Sequence, residues 1–178
     1  RKVLVKELSS NLLTIAKDVK IQIEFNPAVV AEYRLIGYEN RMLAREDFNN
    51  DAVDAGEIGA GHTVTALYEL TPVGSTATRL PPLRYAADAK AKAAGNEIAF
   101  LKLRYKQPDA DKSKLIEQVV VRPREIDAGS SQLQFAASVA AFGEALRGGK
   151  YLDGYDYAAI AALAQANLGP NPYGMNAE

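Results

Sequence analysis

The order in which apolar periodicity changes along the chain predicts an α+β fold: an antiparallel β-sandwich-like strand region followed by two C-terminal helices, with a short N-terminal helix. Three observations carry that expectation. Two-residue alternation dominates from Asp18 to Pro123, spacing of three and four residues takes over from Ser130, and turn-forming pairs such as Asn26-Pro27, Thr71-Pro72 and Gly148-Gly149 fall between the periodic segments. Strands grouped ahead of helices belong to α+β, whereas a regular strand–helix alternation would give a parallel sheet.

Val3, Leu4 and Leu8 sit at helical spacing, so RKVLVKELSS reads as a short helix ending near Ser9 or Ser10. In DVKIQIEF, Val19, Ile21, Ile23 and Phe25 alternate with Asp18, Lys20, Gln22 and Glu24, which makes a strand with its apolar face buried. Asn26-Pro27 ends it, because proline lacks a ladder donor and restricts its predecessor. YRLIGY, Tyr33 to Tyr38, is a second strand with Gly37 at a bulge or a close contact, and Met42 to Phe48 is a candidate third. HTVTALYEL follows, with Val64, Ala66, Tyr68 and Leu70 on one side, and Thr71-Pro72 closes it. Pro72 to Asn96 reads as a long connection, with Pro81, Pro82 and the run AADAKAKAAGN as a short solvated helix or a mobile insert. Ile98–Lys106 and Lys114–Pro123 form an antiparallel pair around the turn QPDADKS. Ser130 or Ser131 caps a helix whose stripe Phe135, Val139, Phe142 and Leu146 should pack on the sheet, and Gly148-Gly149 stops it. Asp156 caps a last helix with Ile160, Leu163 and Ala164, ended by Gly169-Pro170. The expected organisation is a helix or joint over residues 1–10, a sandwich-like region over 11–125 containing the insert 72–96, and a helical region over 126–178.

Composition excludes several function classes. Lys and Arg number 21 against 22 Asp and Glu, a net charge of −1, so no basic field attracts nucleic acid or an anionic bilayer. No run of about 18 apolar residues is present to cross a membrane as a helix. There is no cysteine, which removes disulfides, thiolate nucleophiles and cysteine-ligated zinc.

The most chemically suggestive stretch is DFNNDAVDAGEIGAGHT, Asp47 to Thr63. As a calcium loop of the EF-hand type, Asp47, Asn49 and Asp51 occupy positions 1, 3 and 5, but Ala52 stands where glycine makes the bend and Ile58 where a bidentate carboxylate closes the cage. Asp54 and Glu57 remain as further oxygen ligands for a calcium site of another kind. As a phosphate cradle, Gly56, Gly59 and Gly61 run in the reverse of the dinucleotide spacing and precede a strand, where phosphate binding wants a helix N-terminus. The expected role is therefore a polar connection between strands, shaped by Asn, Asp and Gly turn conformations. His62 is the sole histidine, no G-x-S-x-G elbow surrounds any serine, and no cofactor motif occurs, so no catalytic or cofactor-binding residue is assigned. Asp109 and Asp111 read as solubilising residues of a hairpin tip, and Tyr33, Tyr38, Tyr68 and Tyr105 as packed tyrosines on strands.

Taken together, IAKDVKIQIEFNP, YRLIGYENR, DFNNDAVDAGEIGAGHTVTALYEL and LKLRYKQPDADKSKL resemble the C-terminal region of bacterial von Willebrand factor A-domain proteins of the YfbK type. The resemblance runs across nearly the whole chain and is weakest over Pro72–Asn96. It implies a von Willebrand A domain upstream as partner, with RKVLVKEL as that domain's last helix or the joint after it, and other envelope proteins as further partners. It also implies a location in the cell envelope or periplasm, lipid-anchored through an N-terminal region that lies before this sequence. The A domain's metal motif, D-x-S-x-S, does not occur here, so none of its ligands is carried over. The leading expectation is a non-catalytic accessory or interaction domain. A calcium-stabilised adhesion module using Asp47, Asn49, Asp51, Asp54 and Glu57 is one alternative, and an envelope glycan hydrolase using an acidic pair is the other.

Overall fold

The computed structural model describes residues 13–37, 43–81, 96–122 and 129–169. The helix expected over residues 1–10, most of the expected insert, Tyr38 and the tail from residue 170 lie outside the described residues. The elements in chain order are β1 (Thr14–Phe25), β2 (Val30–Ile36), a 3₁₀ turn (Arg45–Asn49), β3 (Gly56–Gly59), β4 (Leu67–Pro72), β5 (Glu97–Lys106), β6 (Lys114–Val121), α1 (Ser131–Leu146) and α2 (Tyr157–Ala166). The α+β class and the order of strands before two C-terminal helices are as expected.

The chain divides into two compact units. The first comprises Arg1–Arg34, Glu39–Val64 and Leu70–Arg122, the second Leu35–Tyr38, Thr65–Glu69 and Pro123–Glu178. The centre of the first is a four-stranded sheet in the order β3-β1-β5-β6, with every neighbouring pair antiparallel. The register sets Ile21 opposite Leu103, Ile23 opposite Leu101 and Phe25 opposite Ala99, and then Leu103 opposite Ile116 and Ala99 opposite Val120. Residues directly opposite share a face, so one face is apolar and the other carries Lys20, Lys102, Arg104 and Lys106. β2 and β4 form a separate two-stranded sheet. Asn26 makes the corner between β1 and β2: its side chain accepts from Ala28 N–H at 3.0 Å and donates to the Glu97 carbonyl at 2.8 Å. That is how an Asn-Pro pair ends a strand without stranding its polar groups.

Several strand expectations need correction. Of the candidate strand Met42–Phe48, Met42 lies outside the described residues, and the rest is not a strand: its second half is the 3₁₀ turn, closed by Asp47 N–H on the Ala44 carbonyl at 3.0 Å, with Phe48 as its buried anchor. The strand expected from His62 begins only at Leu67, and Val64 is exposed, because β propensity without a partner strand does not hold a ladder. A short strand lies instead inside the acidic stretch: β3 pairs with β1 through Ile58 opposite Ala16. β2 stops at Ile36, so Gly37 marks the end of a strand, and a Cβ there would meet open space.

In the second unit both caps are as read from sequence. The Ser130 side chain accepts from Leu133 N–H, and the Asp156 side chain from Ala159 N–H. Asn167, just after α2, donates to the Gln134 side chain near the start of α1, and Phe142 meets Tyr157 edge-on, so the helices run antiparallel. Within this unit α2 does not bury the stripe Phe135, Val139, Phe142 and Leu146, whose members are 36% to 67% exposed. Ser138 is buried on α1, as is Ile160 on α2. Gln134, Ser138, Ala141 and Ala145 form the half-buried to buried side of α1, where small side chains permit a close helix approach.

Candidate functional site: an acidic loop held by sheet cations

The stretch that sequence singles out is positioned by the polar face of the four-stranded sheet. Lys20 of β1 is 3% exposed, although alternation places it on the side expected to face water. Its Nζ donates to the backbone carbonyls of Asp47 and Asn50, at the end of the 3₁₀ turn. These carbonyls also accept from Asn50 N–H and Val53 N–H, and the ammonium takes the second lone pair of each. Arg104 of β5, directly opposite Lys20, donates to the Asn49 side chain at 3.0 Å and to the Ser113 hydroxyl at 2.8 Å. Its guanidinium lies over the buried Phe48 ring at 5.7 Å, while its Nε is buried with no hydrogen-bond partner. Lys106 of β5 donates to Asp18 Oδ2 at 2.6 Å and to the Asp51 carbonyl at 2.8 Å.

Asp18 completes the arrangement. It sits where β1 loses register with both neighbours, in the left-handed region at φ +50°, a conformation aspartate tolerates better than most residues. One side-chain oxygen accepts from Ala55 N–H and the other from Lys106. The irregularity also sets Lys17 opposite Lys106 and Lys20 opposite Arg104. Like charges directly across a ladder repel. The carbonyl and carboxylate oxygens of the 47–51 segment offset that repulsion, which explains why so polar a segment lies here.

The ionisation of the cluster follows from these contacts. The hydrogen bond from Lys106 is the largest cause holding the Asp18 carboxyl below its ordinary value, against a smaller upward push from burial. Bonds from the Ser113 hydroxyl and then its backbone N–H hold Asp51 below its ordinary value. The bond to Asp18 raises Lys106.

The five calcium candidates therefore have distinct fates. Asp47 contributes a carbonyl to Lys20, Asn49 its side chain to Arg104, and Asp51 a carbonyl to Lys106 and a carboxylate oxygen to Ser113 N–H. Asp54 is exposed beside the loop, and Glu57 is exposed on β3. Among the described residues, no group of three or more His, Cys, Asp or Glu side chains is arranged to hold a metal ion. Of the three glycines, Gly61 alone takes a positive φ, at +79°, while Gly56 and Gly59 lie in β3. His62 follows in an exposed turn, its N–H on the Gly59 carbonyl at 3.1 Å. Tyr33 is exposed and lies against Phe25 with ring centroids 4.6 Å apart, whereas Tyr68 and Tyr105 are half-buried. Asp109 is exposed in the turn between β5 and β6, which Ala110 N–H closes on the Gln107 carbonyl.

Sequence reasoning missed Lys20, Arg104 and Lys106. The available signal was three cations on one face of two adjacent strands, a pattern that calls for an acidic cover.

The family model described as "Uncharacterized protein YfbK, C-terminal" matches residues 10–178. The chain belongs to the YfbK C-terminal family. It is 48% identical over 180 residues to "Uncharacterized protein YfbK" of Escherichia coli (strain K12), an alignment that covers 100% of this chain and 31% of that relative. The YfbK C-terminal chain thus spans about a third of the length of the curated relative it matches. No solved structure matches it. Among its described residues no helix is long and apolar enough to cross a membrane.

Proposed function

We propose that this chain is a non-catalytic accessory module of a longer protein, docking by protein–protein contact beside a von Willebrand A domain in the bacterial cell envelope. The observation that carries the reading is modular: the whole chain aligns with only 31% of its Escherichia coli relative, within a family described as a C-terminal region. The geometry agrees with it. Groups that would serve as ligands in a calcium or catalytic site, from Asp18, Asn49 and Asp51, are bonded to Lys106, Arg104 and Ser113 of the chain itself.

The test is to produce the 178-residue chain and the remainder of the polypeptide that carries it separately, and to measure their association. The expected result is a complex at about tens of micromolar, since intramolecular partners need little intrinsic affinity. No complex at that concentration, with both parts folded by circular dichroism, removes the docking role.

A further inference from the structure

We draw no further inference here: the strongest candidate, the outer edge of β6, where Leu115, Val119 and Val121 are exposed at the margin of the four-stranded sheet, carries none, because such exposure belongs to any edge strand and nothing in the structure shows what covers it.

Discussion

On one face of the four-stranded sheet, Lys20, Arg104 and Lys106 reach into a loop that returns backbone carbonyls and an amide, and Asp18 of β1 adds a carboxylate. On the other, Ile21 and Ile116 are about half exposed toward the sheet's margins, while Ala99 on β5 is buried. Lys20 at 3% and Ala99 at 5% exposure are buried on opposite faces, so the polar face is covered as well, which alternation in a half-buried sheet does not lead one to expect. The difference shows that burial follows the partner available and not the hydropathy of the side chain alone. A loop rich in Asp and Asn can cover cations, because each charge it buries finds an oxygen.

Substitutions can break or sharpen this contrast. The largest effect is expected at Phe48, the buried anchor of the clamped loop: Phe48→Ala should cost about 3 kcal/mol in chemical denaturation, from the cavity and the lost ring beneath Arg104. Lys20→Met keeps the stem and removes the ammonium. It should cost roughly 1–2 kcal/mol, because the carbonyls of Asp47 and Asn50 lose a charged donor while keeping weaker backbone ones. A loss below about 0.3 kcal/mol would mean that the clamp is incidental. On the apolar face, Ile21→Ala should cost under about 1 kcal/mol in the 178-residue chain, since half the side chain is already in water.

The fourth expectation concerns pH. Asp18 and Asp51 are depressed in the folded chain, so their contribution is present above the unfolded carboxylate value of about 4 and is lost as pH falls through the lower folded values. Lys106 is raised, so its contribution is present below the unfolded lysine value of about 10.4 and is lost as pH rises through the higher folded value. Stability should be flat across neutral pH and fall on both sides, and Asp18→Asn should flatten the acid limb in pH-dependent thermal melts. The smallest effect is expected from calcium. With lysine ammoniums already on the loop's oxygens, melting curves in millimolar calcium and in EDTA should superimpose, and a rise in Tm with calcium would overturn the account of the loop.

Much of the local structure was legible in the chain. The alternation of Ile21, Ile23 and Phe25, the Asn26-Pro27 corner, the QPDADKS turn and the caps Ser130 and Asp156 each depend on residues within a few positions of one another. What was not legible depended on contacts remote in sequence. Asp18 and Lys106 are 88 residues apart, and Arg104 and Asn49 are 55 apart. Met42–Phe48 carries strand-like residues, but Phe48 is held by Arg104 rather than by a ladder. The apolar stripe of α1 has helical spacing, which sets the helix but does not say which of its residues meets α2; Phe142 does, at Tyr157.

Sequence alone determined the α+β order, the positions of most turns and caps, and membership of a family through motifs spread along nearly its full length. Those follow from short-range stereochemistry and patterning, which a linear string records. Only the tertiary structure decided that Lys20 is buried and that the acidic loop answers cations of the sheet. Each of these turns on which surface is brought against which, and a periodic pattern specifies a face without specifying what covers it.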